Sequence, residues 1–452
     1  MQRKTIGRIT ALAVLAVLLC FALVPSVSAL EAPSIERVGA AYLYNIENDK
    51  VIYEKSADEI MYPAASVKIM TALVAYEKLC ERMDERISIT KEMINGVSGN
   101  NIAIESGERI YVRDLFYALL LKGANDAAYV LAHVSFGGIA EFVGAMNEKA
   151  RALGMSDTYY ANPTGMHDNA MVTTARDTAL CARAFAQCSE LLEMSSVSKH
   201  VIEPDRDCIE RNLYNRNAFV SKLNSMGTIE YYYKYAKGMN FGSTVEGGDS
   251  FVTLAEKEGL SYICVILGGE EDEEEHIYAF DAARELCDYA LDGFGYVEVL
   301  NTKKLVYDMP VELSEETDRV MLIPSAEIKA YLPHDVDFNS EITYSYTISK
   351  EILTAPVSEG QEVGHISVYY KDELLGTVTL ITQNEVKLSS FLSTLEGIKS
   401  FTQSKFFICT LIALVVVTVG FVLVNSCIRQ KKRTRGRYTG HGTYNFGNTK
   451  RR

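Results

Sequence analysis
At 452 residues the chain is too long for one compact core, so two folded domains with appendages are expected. Apolar residues make up 48% of it and nothing is low-complexity, which excludes a disordered chain. Twelve of the 45 basic residues lie in 1–8 and 429–452, which hold no acids, so the remainder carries 33 against 59 and a net charge of −26; so acidic a body argues against nucleic acid as a partner.

Residues 1–29 open with Arg3, Lys4 and Arg8, run apolar from Ile9 to Val24 and close on Val27-Ser28-Ala29. That is the pattern of a secretory signal peptide cleaved after Ala29. Ala40–Asn45 and Lys50–Lys55 are predicted strands joined by the polar turn Ile46–Asp49. From Tyr62 the chain reads Y-P-A-A-S-V-K-I-M-T-A-L-V-A, a loop that closes at Pro63 and opens into a helix with Ile69, Leu73 and Tyr76 at helical spacing. Such an N-terminus presents unpaired N–H groups and the positive end of the helix dipole, a setting suited to an activated nucleophile. Ser66 and Lys68 are two positions apart and about 200° apart round the axis, so Lys68 is badly placed to take a proton from Ser66. The Ser66 hydroxyl is expected to cap a free N–H in the first turn.

Val112–Lys122, Asp126–Val134, Ile139–Leu153 and Thr174–Cys188 carry helical periodicity; strands return at Asp249–Leu254 and Tyr262–Leu267, followed by a helix over Ile277–Leu291. The acidic run Glu270–Glu275 lacks the spacing of a calcium loop and reads as a solvated turn capping the next helix. From Gly295 short alternating runs (Tyr296–Leu300, Lys304–Met309, Ile342–Ile348, Glu362–Tyr370, Leu375–Thr382) predict a small β-sandwich-like domain. Leu388, Phe391, Leu392, Leu395 and Ile398 line one face of a helix expected to lie on a membrane surface. Phe406–Ile428 carries no charge and is long enough to cross a hydrocarbon core of about 30 Å. The basic residues from Arg429 to Arg437 make the tail cytoplasmic by the positive-inside rule and the large segment before it extracytoplasmic, a single-pass protein of the cell membrane.

Six cysteines fall in the exported part: Cys80, Cys181, Cys188, Cys208, Cys264 and Cys287. Cys181 and Cys188 are about 10 Å apart along one predicted helix, too far to bridge, and buried free thiols are expected for most of the six. No C-x-x-C or H-E-x-x-H pattern occurs, so neither a metal nor another cofactor is expected.

The stretch after Tyr62 resembles the active-site helix of the serine D-alanyl-D-alanine carboxypeptidases, the low-molecular-weight penicillin-binding proteins, with P-A-S-x-x-K-I-M-T-A as the usual form. Aligned on Pro63 and Lys68–Ala72, the nucleophile's slot holds Ala65 and the base's slot keeps Lys68. L-L-L-K-G-A-N-D-A-A (Leu119–Ala128) resembles L-L-x-x-S-x-N-D-A-A, with Gly123 where the shuttle serine stands and Asn125 kept. Y-Y-Y-K-Y-A-K-G-M-N-F-G-S-T (Tyr231–Thr244) resembles A-K-G-x-K-T-G-x-T; Asn240 and Phe241 replace the Lys-Thr pair of the carboxylate-binding motif, Gly242 is kept, and the Phe241 ring is expected to fill the groove. N-P-T-G-M (Asn162–Met166) and T-T-A-R-D (Thr173–Asp177) match closely, although Met171 stands where a histidine is common. The segment Thr354–Val368 resembles the β domain that in this family holds the active site away from the membrane.

The resemblance implies an α/β, transpeptidase-like (β-lactamase-like) domain with a helical subdomain over 30–295 and an all-β domain over 296–385. Beyond these come a juxtamembrane helix over 386–405, a transmembrane helix over 406–428 and the basic tail 429–452. It also implies a chain that keeps the fold without the chemistry, because four positions in three separated motifs have changed. Such a protein would bind peptidoglycan stem peptides or a cell-wall enzyme without cleavage. One alternative is an active carboxypeptidase that uses Ser66 to trim terminal D-alanine; another is an architectural or signalling membrane protein.

Overall fold
The computed structural model describes residues 30–273 and 276–435; the expected signal peptide and the tail past 435 lie outside them. The chain divides into two compact units, one running to Val297 and including Ala330–Val336, the other made of Glu298–Lys329 and the residues from Asp337 on.

In the first unit β1 (Val38–Asn45) and β2 (Lys50–Lys55) form a hairpin, and the chain later returns as β3 (Ala236–Thr244), β4 (Gly248–Lys257) and β5 (Leu260–Gly269). The sheet order is β2-β1-β5-β4-β3, antiparallel throughout. Strand β5, rich in Ile and Val, is buried along most of its length, because both faces of the sheet are covered. Tyr42, Val252, Val265 and Leu267 face the core of the helical block, while Leu43, Phe251, Cys264 and Ile266 face α7 (Tyr278–Gly293). The side-chain alternation of a strand thus separates two cores.

The helical block comprises α1 (Val67–Leu79), α2 (Val112–Tyr117), α3 (Asn125–Phe136), α4 (Ile139–Ala152), α5 (Ala175–Ala186) and α6 (Ser189–Ser196). The expected helix Val112–Lys122 continues α2 as a wider π turn over Ala118–Lys122 that ends at Gly123. The T-T-A-R-D stretch is a helix start: Thr174 Oγ1 accepts from Asp177 N at 3.0 Å, and the Asp177 carboxylate accepts from Asp157 N and Thr158 Oγ1.

The second unit holds β6 (Tyr307–Glu312), β7 (Arg319–Pro324), β8 (Ile342–Ile348), β9 (Leu353–Thr354), β10 (Glu362–Tyr370) and β11 (Glu373–Thr382), in the order β8-β10-β11-β7-β6-β9. The strand expected over Lys304–Met309 lies three residues later, and β7 carried no prediction. Helix α8 (Ser390–Gln403) leaves Phe391, Leu395, Ile398 and Phe401 exposed, and Leu388 precedes it. Within α9 (Lys405–Arg435), Lys405–Lys431 is long and apolar enough to cross a membrane.

Of the six cysteines, Cys181, Cys208, Cys264 and Cys287 are buried free thiols, whereas Cys80 is exposed and Cys188 half-buried. In the acidic turn, Asp272 accepts from His276 N at 2.9 Å; Glu274 and Glu275 lie outside the described residues.

Candidate active site
The turn before α1 is a 3₁₀ segment, Ala64–Ser66, entered from Pro63. Ala64 is left-handed with φ 47°, a conformation costing a non-glycine residue about 1 kcal/mol or more. Its carbonyl faces Gly165 (φ 78°), where a Cβ would stand 1.9 Å from the oxygen. The N-P-T-G-M loop therefore needs glycine at this point to lie against the turn. Asn162 Oδ1 gathers the loop by accepting from Thr164 N, Thr164 Oγ1 and Gly165 N, and Thr71 Oγ1 ties Pro163 O to α1 at 2.7 Å. Gly165→Ala is expected to cost about 3 kcal/mol, since backbone must move, and a thermal melt checks it.

Ala65 and Lys68 line a cleft of about 510 Å³ with Asn100, Gly123, Asn125, Thr164, Arg216 and the Ser243–Glu246 turn. Ala65 contributes only a methyl group to this lining. Lys68 is 5% exposed and donates to Thr164 O. Burial pushes its ammonium down to about 7, and the nearby Arg216 charge adds to the effect.

Gly123 ends the π turn at φ 65°. A Cβ there would meet Arg216 Nη1 and Asn100 Nδ2 at 3.6 Å and Lys68 Cε at 3.7 Å, ordinary van der Waals contact with three polar side chains. Asn125, 2% exposed, donates from Nδ2 to Ser98 O at 2.7 Å, and its Oδ1 has no protein partner. Asp126 holds the neighbouring loop by accepting from Ile102 N and Ile104 N.

Two expectations are corrected here. The Ser66 hydroxyl does not cap the helix; it donates to Pro63 O at 2.7 Å, and Ser66 N also donates to Ser250 Oγ. Ser66 is buried and does not line the cleft, so its oxygen is aimed back along the chain. Nor does the Phe241 ring fill the groove. Along β3 alternate residues take opposite faces: Gly242 backs onto Ala65, a Cβ there standing 2.5 Å from the Ala65 Cβ, whereas Phe241 packs under the sheet against Phe251 and Phe280. Asn240 is buried with an unpartnered Oδ1 and lies outside the cleft lining.

The residue that sequence reasoning missed is Arg216. Asn215 anchors this segment by donating to Ser195 O and Val197 O, and Arg216 N donates to Leu121 O at 2.9 Å. The guanidinium reaches into the cleft with Cζ 5.9 Å from the Phe241 ring centroid. Burial lowers its pKa, while the charge of Asp249 acts the other way. Its only local sign is the N-R-N triplet. The cleft thus holds the Arg216 guanidinium and the buried Lys68 amine, which loses its proton near pH 7, and the carboxylate at its rim is the exposed Glu246.

A family model described as D-alanyl-D-alanine carboxypeptidase matches residues 27–271, and one described as the C-terminal domain of penicillin-binding protein 5 matches residues 294–388. Similar curated proteins include the D-alanyl-D-alanine carboxypeptidase DacF of Bacillus subtilis, 25% identical over 365 residues (79% of this chain, 88% of the relative). DacC of Escherichia coli is 25% identical over 380 residues (80% and 87%). Among solved structures, the D-alanyl-D-alanine carboxypeptidase DacD from Francisella tularensis shares the fold at TM-score 0.57 and 21% identity, covering 80% of this chain and 97% of that one. Penicillin-binding protein 6B from Escherichia coli does so at TM-score 0.56 and 21% identity, covering 79% and 98%. With the first family model spanning more than half of its length and the fold in agreement, the chain belongs to the peptidase S11 family of D-alanyl-D-alanine carboxypeptidases, the low-molecular-weight penicillin-binding proteins.

Proposed function
We propose that the protein binds peptidoglycan stem peptides ending in D-Ala-D-Ala and does not cleave them. The observation that supports this is an open cleft that keeps Lys68, Asn125 and Arg216 around a methyl group at Ala65. The Arg216 guanidinium, joined by Lys68 when that amine is protonated, favours an anionic ligand such as a peptide carboxylate, and the Asn125 amide offers a polar contact to peptide backbone. Hydrolysis through an acyl intermediate needs an oxygen or sulfur nucleophile in reach of a base, and the Ala65 side chain has neither. Ser66 is a poor substitute because its hydroxyl is spent on Pro63 and faces away from the cleft.

The test is calorimetry of the full-length chain in detergent with a pentapeptide ending in D-Ala-D-Ala, alongside an assay for released D-alanine. Binding with no release is expected; release that persists through repurification would overturn the reading, as would the absence of binding, and loss of that release in Ser66→Ala would assign it to Ser66. A peptide-binding failure together with co-purification of a cell-wall enzyme would favour the enzyme as the partner.

The same reading anchors the chain by α9, with the exposed apolar face of α8 against the membrane surface, the acidic units outside and the basic tail in the cytoplasm. A stop codon at 405 is expected to move the protein from the membrane pellet to a fraction released by high salt or alkaline washing. Retention after such washing would show that α8 suffices.

A further inference from the structure
Beside the cleft lies a second pocket of about 630 Å³, which shares Arg216 and Ser243 with it. Its walls carry charge of both signs. Arg216 stands on one side; Asp249 and Glu271 stand on others, together with the exposed Glu230 and with His276, which is held by Asp281.

Asp249 is the unusual member. It is the second residue of β4, in register with Ser243 of β3 and Gly269 of β5. Its residue exposure is 2%, and Oδ2 has no hydrogen-bond partner, an uncommon state for a buried carboxylate. Burial pushes the group up to about 6, with the Ser243 hydroxyl opposing, so it is mainly ionised at neutral pH. Leaving such an oxygen unpaired is costly, and a donor arriving with a ligand would remove that cost.

We propose that this pocket receives an α-amino-acid group, with its ammonium toward Asp249 and Glu271 and its carboxylate toward Arg216. A lone ammonium would be repelled by Arg216, and a lone carboxylate by Asp249 and Glu271. A group carrying both charges on neighbouring atoms finds a partner on each wall. The pocket extends the peptide-binding reading and rests on it for the remainder of the ligand, since Arg216 and Ser243 belong to both spaces.

The experiment is a saturation-transfer NMR titration of the full-length chain in detergent with D-alanine, N-acetyl-D-alanine and D-alaninamide, beside the D-Ala-D-Ala pentapeptide. D-alanine is expected to bind about tenfold or more tightly than either blocked form, the scale of one charge-assisted hydrogen bond. Asp249→Asn and Glu271→Gln are each expected to shrink the gap between D-alanine and N-acetyl-D-alanine. Equal binding of the three small probes, or none, overturns the proposal even if the pentapeptide binds. D-alanine selectivity that depends on Asp249, seen without pentapeptide binding, upholds the pocket and overturns only the peptide reading.

Discussion
Ala65→Ser is expected to carry a covalent adduct that the unaltered protein is expected to lack, read by intact mass after incubation of both with a fluorescent penicillin. Deleting a serine hydrolase's nucleophile costs on the order of 10⁶ in rate, so restoring it is the largest single gain open to this cleft. The surroundings are ready for it. Residue 65 faces the cleft, Gly242 opposite has no side chain to collide with a new hydroxyl, and Lys68 stands one helical turn on. Because Lys68 titrates near 7, a neutral amine is available as base at ordinary pH. Labelling of the variant should therefore rise with pH through about 7 and level off above it. It should stay slow, because Gly123 supplies no shuttle hydroxyl, and its φ of 65° makes serine there strained. An adduct on the unaltered protein would overturn the inactive reading and direct mapping to Ser66. No adduct on the variant would mean that the cleft rejects penicillin-like anions.

The second large effect concerns stability. The unfolded chain holds the Lys68 proton to about 10.5, the folded chain only to about 7. Between those values the unfolded state binds the extra proton, so this group makes stability rise with pH, by up to about 1.4 kcal/mol per unit. Below about 7 both states are protonated, and the cost of burying the ammonium is present in full. Lys68→Met keeps the volume and removes the titration. The difference in melting temperature, unaltered protein minus variant, is expected to grow by about 2 °C per pH unit from 7 to 10. A flat difference would mean that Lys68 is solvated or paired in the folded protein.

The legible features were those that a few adjacent residues define. The Pro63 turn and helix, the Asn125 motif, the helix from Thr174 and the apolar run of α9 each depend on short-range spacing, and each can be read along the chain. Ala65, Gly123, Asn240 and Phe241, the four positions read as departures from the motifs, stand out for the same reason. What they do in space was not. Whether Phe241 or Gly242 looks into the cleft depends on which face of β3 meets the turn before α1, and a period of two says only that they differ. Strand β3 itself carried no prediction, since its glycines and Asn240 break the apolar alternation that marks a strand. Ser66 was misread because the cap expected of it competes with Pro63 O in the tighter 3₁₀ turn. Arg216 and Asp249 lie far in sequence from the motif residues around them, and only the closing of β3 and β4 over the helical block makes one a cleft cation and the other a buried carboxylate. The sequence alone determined the family, the order of elements and the absence of a hydroxyl at position 65. Tertiary structure decided which side chains share a desolvated space, because burial and charge proximity are properties of the folded chain and not of any segment of it.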